Sequence, residues 1–514
     1  MSGAAALRSG SYKFCAAESS DDSSLCRKLA ADPLRPQYHL LPSHNWMNDP
    51  NGPIHFGGRY HMFHQYNPRG ATWGNMHWAH ATSPDMIHWQ HQPVALAPTR
   101  GGPDSDGVFS GSAVVDKDKV AVIYTGVAPP SSPSDATLRD GAHTWRETQC
   151  LAVAQDSDLR IWKKLPEPVI ATPPAGLSVT GFRDPALWRE GQNWMLILGS
   201  GVHDKGGMIL LYTSKDLQHW TYLHPLVEGS RSAIASVNPV DSGEMWECPD
   251  FFPLGNKHVL LISTMGKVRW KVGTYANRQF TPEEEGVVDW GSYYAAKTML
   301  DAEGRRILWG WIPEARPDAD LIAAGWAGVM SLPRVLSLTA QGELSTEVVP
   351  VVEKLRVPNS GNCGAVGTTH SSVEDTRSRC RQVMDALRIK DLAAEIDLEL
   401  RPNKDDFTLR LASDAGEFVS LSCSKKSGSR ELRVNSTTAP LPGPAEVPVR
   451  LRMFLDGSVL EVFANSTVAV TARVYHNASG ILRLGLEGDV ELLSLRAWQI
   501  KRISEDRLAD KRSA

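Results

Sequence analysis

The sequence has few cysteines, no membrane-length apolar segment and little net charge. Its 514 residues include seven cysteines with no CxxC pair, and an odd count argues against a complete disulfide framework. No apolar run reaches the roughly 18–20 residues of a membrane span. A net charge of −4 and a pI of about 6.5 give no indication of nucleic acid or membrane as a partner. What remains is a chain long enough for two or three domains.

The two ends of the chain differ in composition from the rest. Residues 1–35 are small, polar and charged and lack the hydrophobic region of a signal peptide, so they predict a disordered leader. Residues 503–514 are charged and predict a frayed tail. Three N-x-S/T sequons begin at Asn435, Asn465 and Asn477 and matter only if the chain enters a secretory pathway. The residues alone leave the compartment open.

An internal repeat runs through residues 36–345. Five copies share a short apolar strand, a Gly-rich or polar turn and a second apolar strand, with turns near residues 57, 117, 191, 255 and 303. This pattern is typical of a β-hairpin. After three of the copies, at 80–89, 152–162 and 210–220, a strand leads into an Asp-containing turn and then a Trp. Repeats of this length made of small sheets predict an all-β, five-bladed β-propeller.

Three of the five copies carry an acidic residue just before the hairpin. They are Asp49 in WMNDPNG, Asp184 in GFRDPA and Glu247 in MWECPD. The first strand of each propeller blade lines the central axis, so we expect the three carboxyl groups to meet in one pocket. Glycoside hydrolysis needs two carboxyl groups in different protonation states. Each motif alone would suit a surface turn, an ion pair or a half-buried acid, but their shared position in the repeat favours catalysis.

The neighbours of each acid suggest its protonation state. Asp49 lies among amide donors in NDPNG, which would lower its pKa, whereas Glu247 lies among apolar residues in WECP, which would raise it. Asp184 follows Arg183, and an Arg–Asp pair would stay ionised and bind hydroxyl groups.

Downstream of the repeat, the sequence predicts a second domain. A linker over 346–375, rich in Gly, Ser and Thr, precedes many short alternating runs over 376–502. Period-2 alternation, with the turn pair Asp456-Gly457, predicts a β-sandwich. It could be a carbohydrate-binding module, but several of its few aromatics fall at alternating core positions. This favours a structural role, packed against the propeller.

Taken together, the motifs resemble a known family. WMNDPNG, FSGS, FRDP and WECPD, with D-x-G-x-x-Y-A from Asp289 and GWAGVMSLPR over 325–334, resemble glycoside hydrolase family 32, the β-fructofuranosidase family, over about 36–500. The resemblance implies a five-bladed propeller followed by a β-sandwich. It also implies a retaining mechanism with Asp49 as nucleophile, Glu247 as acid/base and Asp184 as transition-state stabiliser. The implied substrate-binding residues are Trp46, Met47, Asn48, Gln65, Trp73, Phe109, Ser110, Arg183 and Tyr294.

The resemblance also implies a reaction. It is the release of terminal non-reducing β-D-fructofuranosyl units, as in an EC 3.2.1.26-type β-fructofuranosidase, with sucrose as the leading substrate and inulin or levan as alternatives. A fructosyltransferase on the same fold stays open. A non-catalytic sugar-binding propeller fits less well, because all three acids are present. A five-bladed arabinanase or xylosidase fits less well, because those enzymes do not resemble WMNDPNG or WECPD. The habit of the family favours an extracellular location.

Metal binding is the remaining alternative. Eight histidines crowd residues 44–91, but no HExxH or matched ligand set appears among them. We therefore expect packing and hydrogen-bonding roles, with no metal and no cofactor. The oligomeric state is open.

Overall fold

Strands dominate the computed structural model, which describes residues 20–358, 361–363, 373–426, 429–444, 447–475 and 480–504. The helices in these ranges are few, and none is long and apolar enough to cross a membrane. The helical segments are Ser20–Ala31, Asp318–Ala324 and Val373–Ala386, with 3-10 turns at Pro133–Asp135 and Pro350–Leu355.

Five antiparallel sheets follow one another along the chain, one from each repeat. Inside each sheet the main strands lie in chain order, joined by the predicted hairpins. This confirms the five-bladed β-propeller. The strands are Asn45–Phe56, Arg59–Asn67, His77–Ser83 and Gln90–Leu96 in blade 1; Gly107–Asp116, Lys119–Ala128, Leu138–Arg139, Thr144–Ala154 and Trp162–Lys164 in blade 2; Val179–Glu190, Asn193–Val202, Gly206–Ser214 and Trp220–Glu228 in blade 3; Glu247–Leu254, Lys257–Thr264, Lys267–Ala276 and Gln279–Val287 in blade 4; and Tyr294–Leu300, Arg306–Ile312, Val329–Met330, Arg334–Leu338 and Leu344–Val348 in blade 5.

The ring of blades is closed by a short parallel strand pair. Trp326–Ala327 follows the second strand of blade 5 and pairs with Asn45 and Trp46 at the start of blade 1. The last blade is thereby hydrogen-bonded to the first, which fixes the inner strands around one axis.

The second repeated pattern is a repeated turn. Met86, Leu159 and Leu217, which lie in the three copies, all have left-handed φ values, 69°, 56° and 66°. In all three copies an Asp carboxylate oxygen, of Asp85, Asp156 or Asp216, accepts hydrogen bonds from backbone N–H groups that follow. An Asp that caps its own turn offsets the strain of this backbone conformation.

The C-terminal domain is a β-sandwich, as predicted, built over one large apolar core. Its two longest strands, Ala393–Ser413 and Arg483–Gln499, pair along most of their length and bend at register shifts. The other strands are Asn362–Cys363, Gly416–Lys426, Ser429–Val434, Thr437–Leu441, Val449–Asp456, Val459–Ala464 and Val468–Arg473.

Two segments expected to lack structure are ordered. The prediction of a disordered leader over 1–35 is wrong for residues 20–35, and residues 1–19 lie outside the described residues. Leu25 and Leu29, one helical turn apart on Ser20–Ala31, pack with Trp326. A helix with this apolar stripe is stabilised by packing, which composition alone does not indicate.

The predicted linker over 346–375 is also wrong for residues 346–358, 361–363 and 373–375, and its remaining residues lie outside the described residues. Val352 and Leu355, on Pro350–Leu355, are buried in the core shared with blade 5. A disulfide joins Cys363 to Cys380 on helix Val373–Ala386. Cys150, Cys248 and Cys423 are free. Of the predicted tail, Ile503 is buried and residues 505–514 lie outside the described residues.

Buried charges join the two domains. Nη2 of Arg334 lies 2.9 Å from Oδ2 of Asp289 and also binds Oε2 of Glu461. His39 bridges Oδ2 of Asp456 (2.7 Å) and Oε1 of Glu461 (2.9 Å). Burial alone would lower the pKa of His39, but these hydrogen bonds raise it to about 9. We call this group the interface network; it consists of His39, Asp289, Arg334, Asp456, Glu461 and Thr471.

Candidate active site

A cavity of about 170 Å³, the inner chamber, lies where the first strands of the blades meet. Ten of the twelve residues predicted for the site line it. Its lining is Asn48, Asp49, Gln65, Trp73, Met76, Phe109, Ser110, Arg183, Asp184, Glu247, Tyr294 and Trp311. The repeat therefore brings the three carboxyl groups together, from blades 1, 3 and 4.

The first strand of every blade contains a register shift near the cavity. Asp184 itself has φ 66°, and Cys248, next to Glu247, has φ 48°. Such bulges redirect side chains, and each left-handed non-glycine residue costs about 1–3 kcal/mol. The bulged backbone at these two positions directs the side chains of Asp184 and Glu247 toward the cavity.

The Asp49 carboxylate accepts hydrogen bonds from side chains on the first strands of blade 1 and blade 2. Its Oδ2 accepts from the Ser110 hydroxyl at 2.5 Å and its Oδ1 from Nδ2 of Asn48 at 3.0 Å. Burial raises the pKa of Asp49, and the Ser110 hydrogen bond opposes this rise. The expected lowering of this pKa is therefore wrong, because desolvation outweighs the predicted donors.

Asp184 is held by backbone contacts. Its N–H donates to Oγ1 of Thr125, and its Oδ2 accepts from the N–H of Cys248, both at 2.9 Å. Burial raises its pKa to about 7, although Arg183 acts in the opposite direction. The expectation of a simple ionised Arg–Asp pair is wrong, because the guanidinium binds other carboxylates.

Those carboxylates are Glu147 and Glu247. Nη1 of Arg183 donates to Oε1 of Glu147, and Nη2 donates to Oε1 of Glu247, each at 2.9 Å. Glu147 is fully buried behind the cavity and was missed by the sequence analysis, since no repeat marks it. We call Asp49, Asp184, Glu247, Glu147 and Arg183 the carboxylate cluster.

The carboxyl group of Glu247 does not contact the apolar residues beside it in sequence. Its Oε1 faces Arg183, and its Oε2 accepts from the Tyr294 hydroxyl at 2.7 Å. Trp246 instead fills a slot lined by glycines. A Cβ atom at Gly207 or Gly229 would lie 2.2 Å from its indole ring. The predicted apolar surroundings of Glu247 are wrong, because successive side chains on a strand point to opposite sides.

Trp46 and Met47 are the two predicted site residues that do not line the inner chamber. Met47 is fully buried in the core around Trp309. Trp46 donates from Nε1 to Oδ1 of Asn48 at 2.8 Å, so it orients a residue that does line the chamber. Membership of the WMNDPNG motif therefore did not distinguish residues that line the chamber from residues that only support them.

Met76 and Trp311 line the inner chamber but were not predicted. Met76 lies three residues after Trp73 in the loop before the third strand of blade 1, and Trp311 is the last residue but one of the second strand of blade 5. The pattern GWIP, which surrounds Trp311, resembles an ordinary buried strand end. No signal in the sequence marks Trp311 as a site residue.

The sandwich contacts the loop that leads to Tyr294. Thr471 accepts from the N–H of Ser292 at 2.7 Å through its carbonyl, and its own N–H donates to Oδ1 of Asp289. A Cβ at Gly291 would lie 1.8 Å from the Thr471 carbonyl oxygen. The D-x-G-x-x-Y-A motif thus joins the interface network to the residue that binds Glu247.

A larger cavity of about 500 Å³, the outer chamber, opens above Glu247. The two chambers share six lining residues, which are Trp73, Phe109, Arg183, Glu247, Tyr294 and Trp311. Arg183 is the one basic residue that lines the outer chamber, and that guanidinium is already paired with two carboxylates. The outer chamber therefore suits a polar ligand without negative charge.

Six of the eight crowded histidines lie on strands of blade 1, His44 directly precedes its first strand and His88 lies in the turn before its fourth. His61 and His80 are buried and share a hydrogen bond at 3.0 Å, and Nδ1 of His64 meets the carbonyl of Gln65. Among the described residues, the three side chains close enough to share a cation are elsewhere, at His203, Asp204 and Glu244. The Arg231 guanidinium already contacts both of those carboxylates.

Comparison with known proteins gives one consistent result. The model of the glycosyl hydrolases family 32 N-terminal domain matches residues 39–347, and that of the family 32 C-terminal domain matches residues 360–499. The chain is 34% identical to the sucrose-6-phosphate hydrolase of Escherichia coli over 473 residues, covering 86% of this chain and 89% of the relative.

Solved structures agree over nearly the whole chain. Fructan 1-exohydrolase IIa from Cichorium intybus has a TM-score of 0.71 at 26% identity, with 91% of this chain and 98% of that chain covered. The family 32 β-fructofuranosidase of Bombyx mori has a TM-score of 0.73 at 25% identity, with 94% and 97% covered. With the carboxylate cluster at the axis of the propeller and both domain models matched, the chain belongs to glycosyl hydrolase family 32.

Proposed function

We propose that the protein is a retaining β-fructofuranosidase of the EC 3.2.1.26 type that hydrolyses sucrose. The observation that carries this proposal is that Asp49, Asp184 and Glu247 line one chamber. Asp184 accepts a hydrogen bond from Cys248, the residue after Glu247, and Glu247 accepts one from Arg183, the residue before Asp184. The relatives are named sucrose-6-phosphate hydrolase, fructan 1-exohydrolase and β-fructofuranosidase, and all three names describe hydrolysis of a bond to a fructosyl unit. Among the described residues that line the outer chamber, the one basic side chain is Arg183, which is already paired with two carboxylates, and this favours sucrose over its phosphate.

In this proposal the fructosyl unit occupies the inner chamber and the leaving sugar the outer chamber. Asp49 attacks the anomeric C2 while Glu247 donates a proton to the departing oxygen. A fructosyl ester forms on Asp49, and water deprotonated by Glu247 then releases fructose. We expect the carboxyl groups of Asp49 and Glu247 to be about 5–5.5 Å apart, as in retaining enzymes.

The supporting residues have distinct tasks. Asp184 binds fructosyl hydroxyl groups and stabilises the transition state. Tyr294 and Arg183 orient the Glu247 carboxylate, and the hydroxyl of Ser110 fixes the Asp49 oxygen that does not attack. Because burial raises the pKa of Asp184 to about 7, the carboxylate cluster retains a proton at mildly acidic pH. That proton belongs to the coupled group.

The test is a product assay with sucrose, inulin and levan, with Asp49→Ala as the control. Fructose release that disappears in the variant would support the proposal, and added methanol should give methyl β-D-fructofuranoside, the retained product. A folded wild-type protein that turns over none of the three would overturn it.

Two alternatives use the same site. Faster release from inulin or levan than from sucrose would make the protein a fructan exohydrolase. Oligosaccharides that grow at high sucrose concentration would make it a fructosyltransferase, in which a second sugar takes the place of water.

A further inference from the structure

Glu147 is a buried acid to which the proposed mechanism gives no task. It lies on the strand Thr144–Ala154 of blade 2 and is fully buried. It lines neither the inner chamber nor the outer chamber, so it does not contact a sugar in either. A carboxylate buried away from water is costly unless it is paired and hydrogen-bonded. The partners of Glu147 therefore indicate what its charge does.

The carboxylate of Glu147 holds the segment that carries Arg183. Its Oε2 accepts hydrogen bonds from the Thr137 hydroxyl at 2.9 Å and from the N–H of Phe182 at 2.7 Å. Its Oε1 accepts from Nη1 of Arg183 at 2.9 Å. The carbonyl of Phe182 is bound as well, by Nε2 of Gln149 at 2.8 Å, two residues along the same strand. Blade 2 thus fixes both the guanidinium and the backbone directly before it.

The guanidinium of Arg183 is shared between two carboxylates. Nη1 donates to Glu147, whereas Nε and Nη2 both donate to Oε1 of Glu247, at 3.2 and 2.9 Å. Burial alone would lower the pKa of Arg183, but Glu147 and then Glu247 raise that pKa well above its ordinary value. The guanidinium therefore stays charged, and Glu147 balances part of the charge that faces Glu247.

This balance matters for proton transfer. The acid/base of a glycosidase has to hold a proton before it can donate one to the leaving oxygen. A buried cation that faced Glu247 alone would favour the ionised carboxylate. Without the charge of Glu147, the carboxylate cluster would have one negative charge fewer. Its remaining carboxyl groups would then lose their retained proton at a lower pH.

We propose that Glu147 is a positioning residue for the reaction, which fixes Arg183 against Glu247 and lets the carboxylate cluster retain the proton that the leaving sugar receives. The inference rests on the proposed function, because it takes Glu247 as the acid/base. Glu147 acts through Arg183 and has no contact of its own with the substrate.

The test is the pH profile of kcat/KM in Glu147→Gln, on whichever of sucrose, inulin and levan the wild type cleaves fastest. The variant removes the charge and keeps the size of the side chain. We expect the alkaline limb of the profile to move to lower pH by about one unit, the effect of one nearby charge. The value of kcat/KM should therefore fall about tenfold at pH 8 and stay within about threefold of wild type at pH 5.

Two further variants separate charge from packing. Glu147→Asp keeps the charge but is one methylene shorter, so kcat/KM should fall about 3- to 10-fold at every pH with the alkaline limb in place. Thr137→Val is the matched control, because it removes a hydrogen bond from the same carboxylate without changing any charge. It should lower the thermal unfolding midpoint and leave the alkaline limb where it is.

An alkaline limb that stays in place in folded Glu147→Gln overturns the inference. Equal movement of the limb in Thr137→Val also overturns it, since Glu147 would then serve only to join blades 2 and 3. If Glu147→Gln does not fold, an unchanged kcat/KM in Glu147→Asp overturns it instead. A wild type that releases fructose from none of the three substrates overturns the proposed function and this inference together, whereas an active wild type with an unmoved limb in the variant overturns this inference alone.

Discussion

The carboxylate cluster and the interface network are both buried groups of charges, but they are balanced differently. In the network, Arg334 and His39 face Asp289, Glu461 and Asp456, and each carboxylate has a charged or hydrogen-bonding partner. In the cluster, one guanidinium stands against four carboxyl groups and forms ion pairs with only two of them, Glu147 and Glu247. The interface network holds two domains together, whereas in the carboxylate cluster burial raises the pKa values of Asp49 and Asp184, which suits the proton transfer of the proposed mechanism.

Glu247→Gln is expected to have the largest effect, and it tests whether the carboxylate cluster contributes to activity rather than to stability. We expect kcat to fall about 100- to 10,000-fold, because general acid catalysis contributes that much. The thermal unfolding midpoint should stay the same or rise, since the change removes one negative charge from an excess. Kinetics and thermal unfolding on the same preparation check both. A large loss of stability would mean that the cluster holds the fold together as the network does.

The opposite change is Arg334→Met in the interface network. It leaves Asp289 buried without its cation and Glu461 with His39 alone, and it should cost roughly 3–5 kcal/mol of unfolding free energy. Chemical denaturation measures this cost. Arg410→Met is the control, because Arg410 forms its ion pairs at the surface and should change stability little. Equal losses in the two variants would contradict the assigned role of the network.

Tyr294→Phe tests the connection between the two groups. The tyrosine hydroxyl donates to Glu247, and this bond strengthens as Glu247 loses its proton in the transition state. We expect kcat/KM to fall roughly 10- to 100-fold, the value of a hydrogen bond to a charged group. The pH profile of kcat/KM should shift as well, which a purely structural defect would not produce. An unshifted profile with normal kcat would remove Tyr294 from the mechanism.

The cluster also predicts an alkaline limit of activity. Since the pKa of Asp184 is raised to about 7, the cluster loses its retained proton as pH rises through that value. We expect kcat/KM to fall by about tenfold per pH unit beyond it. A profile that stays flat from pH 6 to 9 would contradict this assignment.

His39 gives the smallest expected effect. Its folded pKa of about 9 lies above the unfolded value, so its contribution is complete below about pH 6.5 and is lost as pH rises through 9. The thermal midpoint should fall by on the order of a few °C over that window. In His39→Gln, which cannot titrate, this dependence should flatten. A wild-type midpoint that rises over the window would reverse the sign.

The features predicted correctly from the sequence are those that rest on a repeat or on alternation of apolar and polar residues. The hairpins gave five blades, and the shared position of Asp49, Asp184 and Glu247 indicated their meeting point. Protonation was predicted poorly, because neighbours in sequence were taken as neighbours in space. Arg183 binds Glu147, 36 residues away, rather than the adjacent Asp184. Trp311 and Glu147 reach the site through tertiary packing alone, which no local pattern records.

The glycine-lined slot of Trp246 has a consequence for how this protein tolerates change. Gly207 and Gly229 touch no chamber, yet any side chain there would displace the indole that directly precedes Glu247. A screen of random variants for lost activity should therefore recover these two positions alongside the acids themselves. The Trp246 ring, which directly precedes blade 4, therefore restricts which residues blade 3 accepts at positions 207 and 229. A larger residue at either position would require a smaller one at position 246.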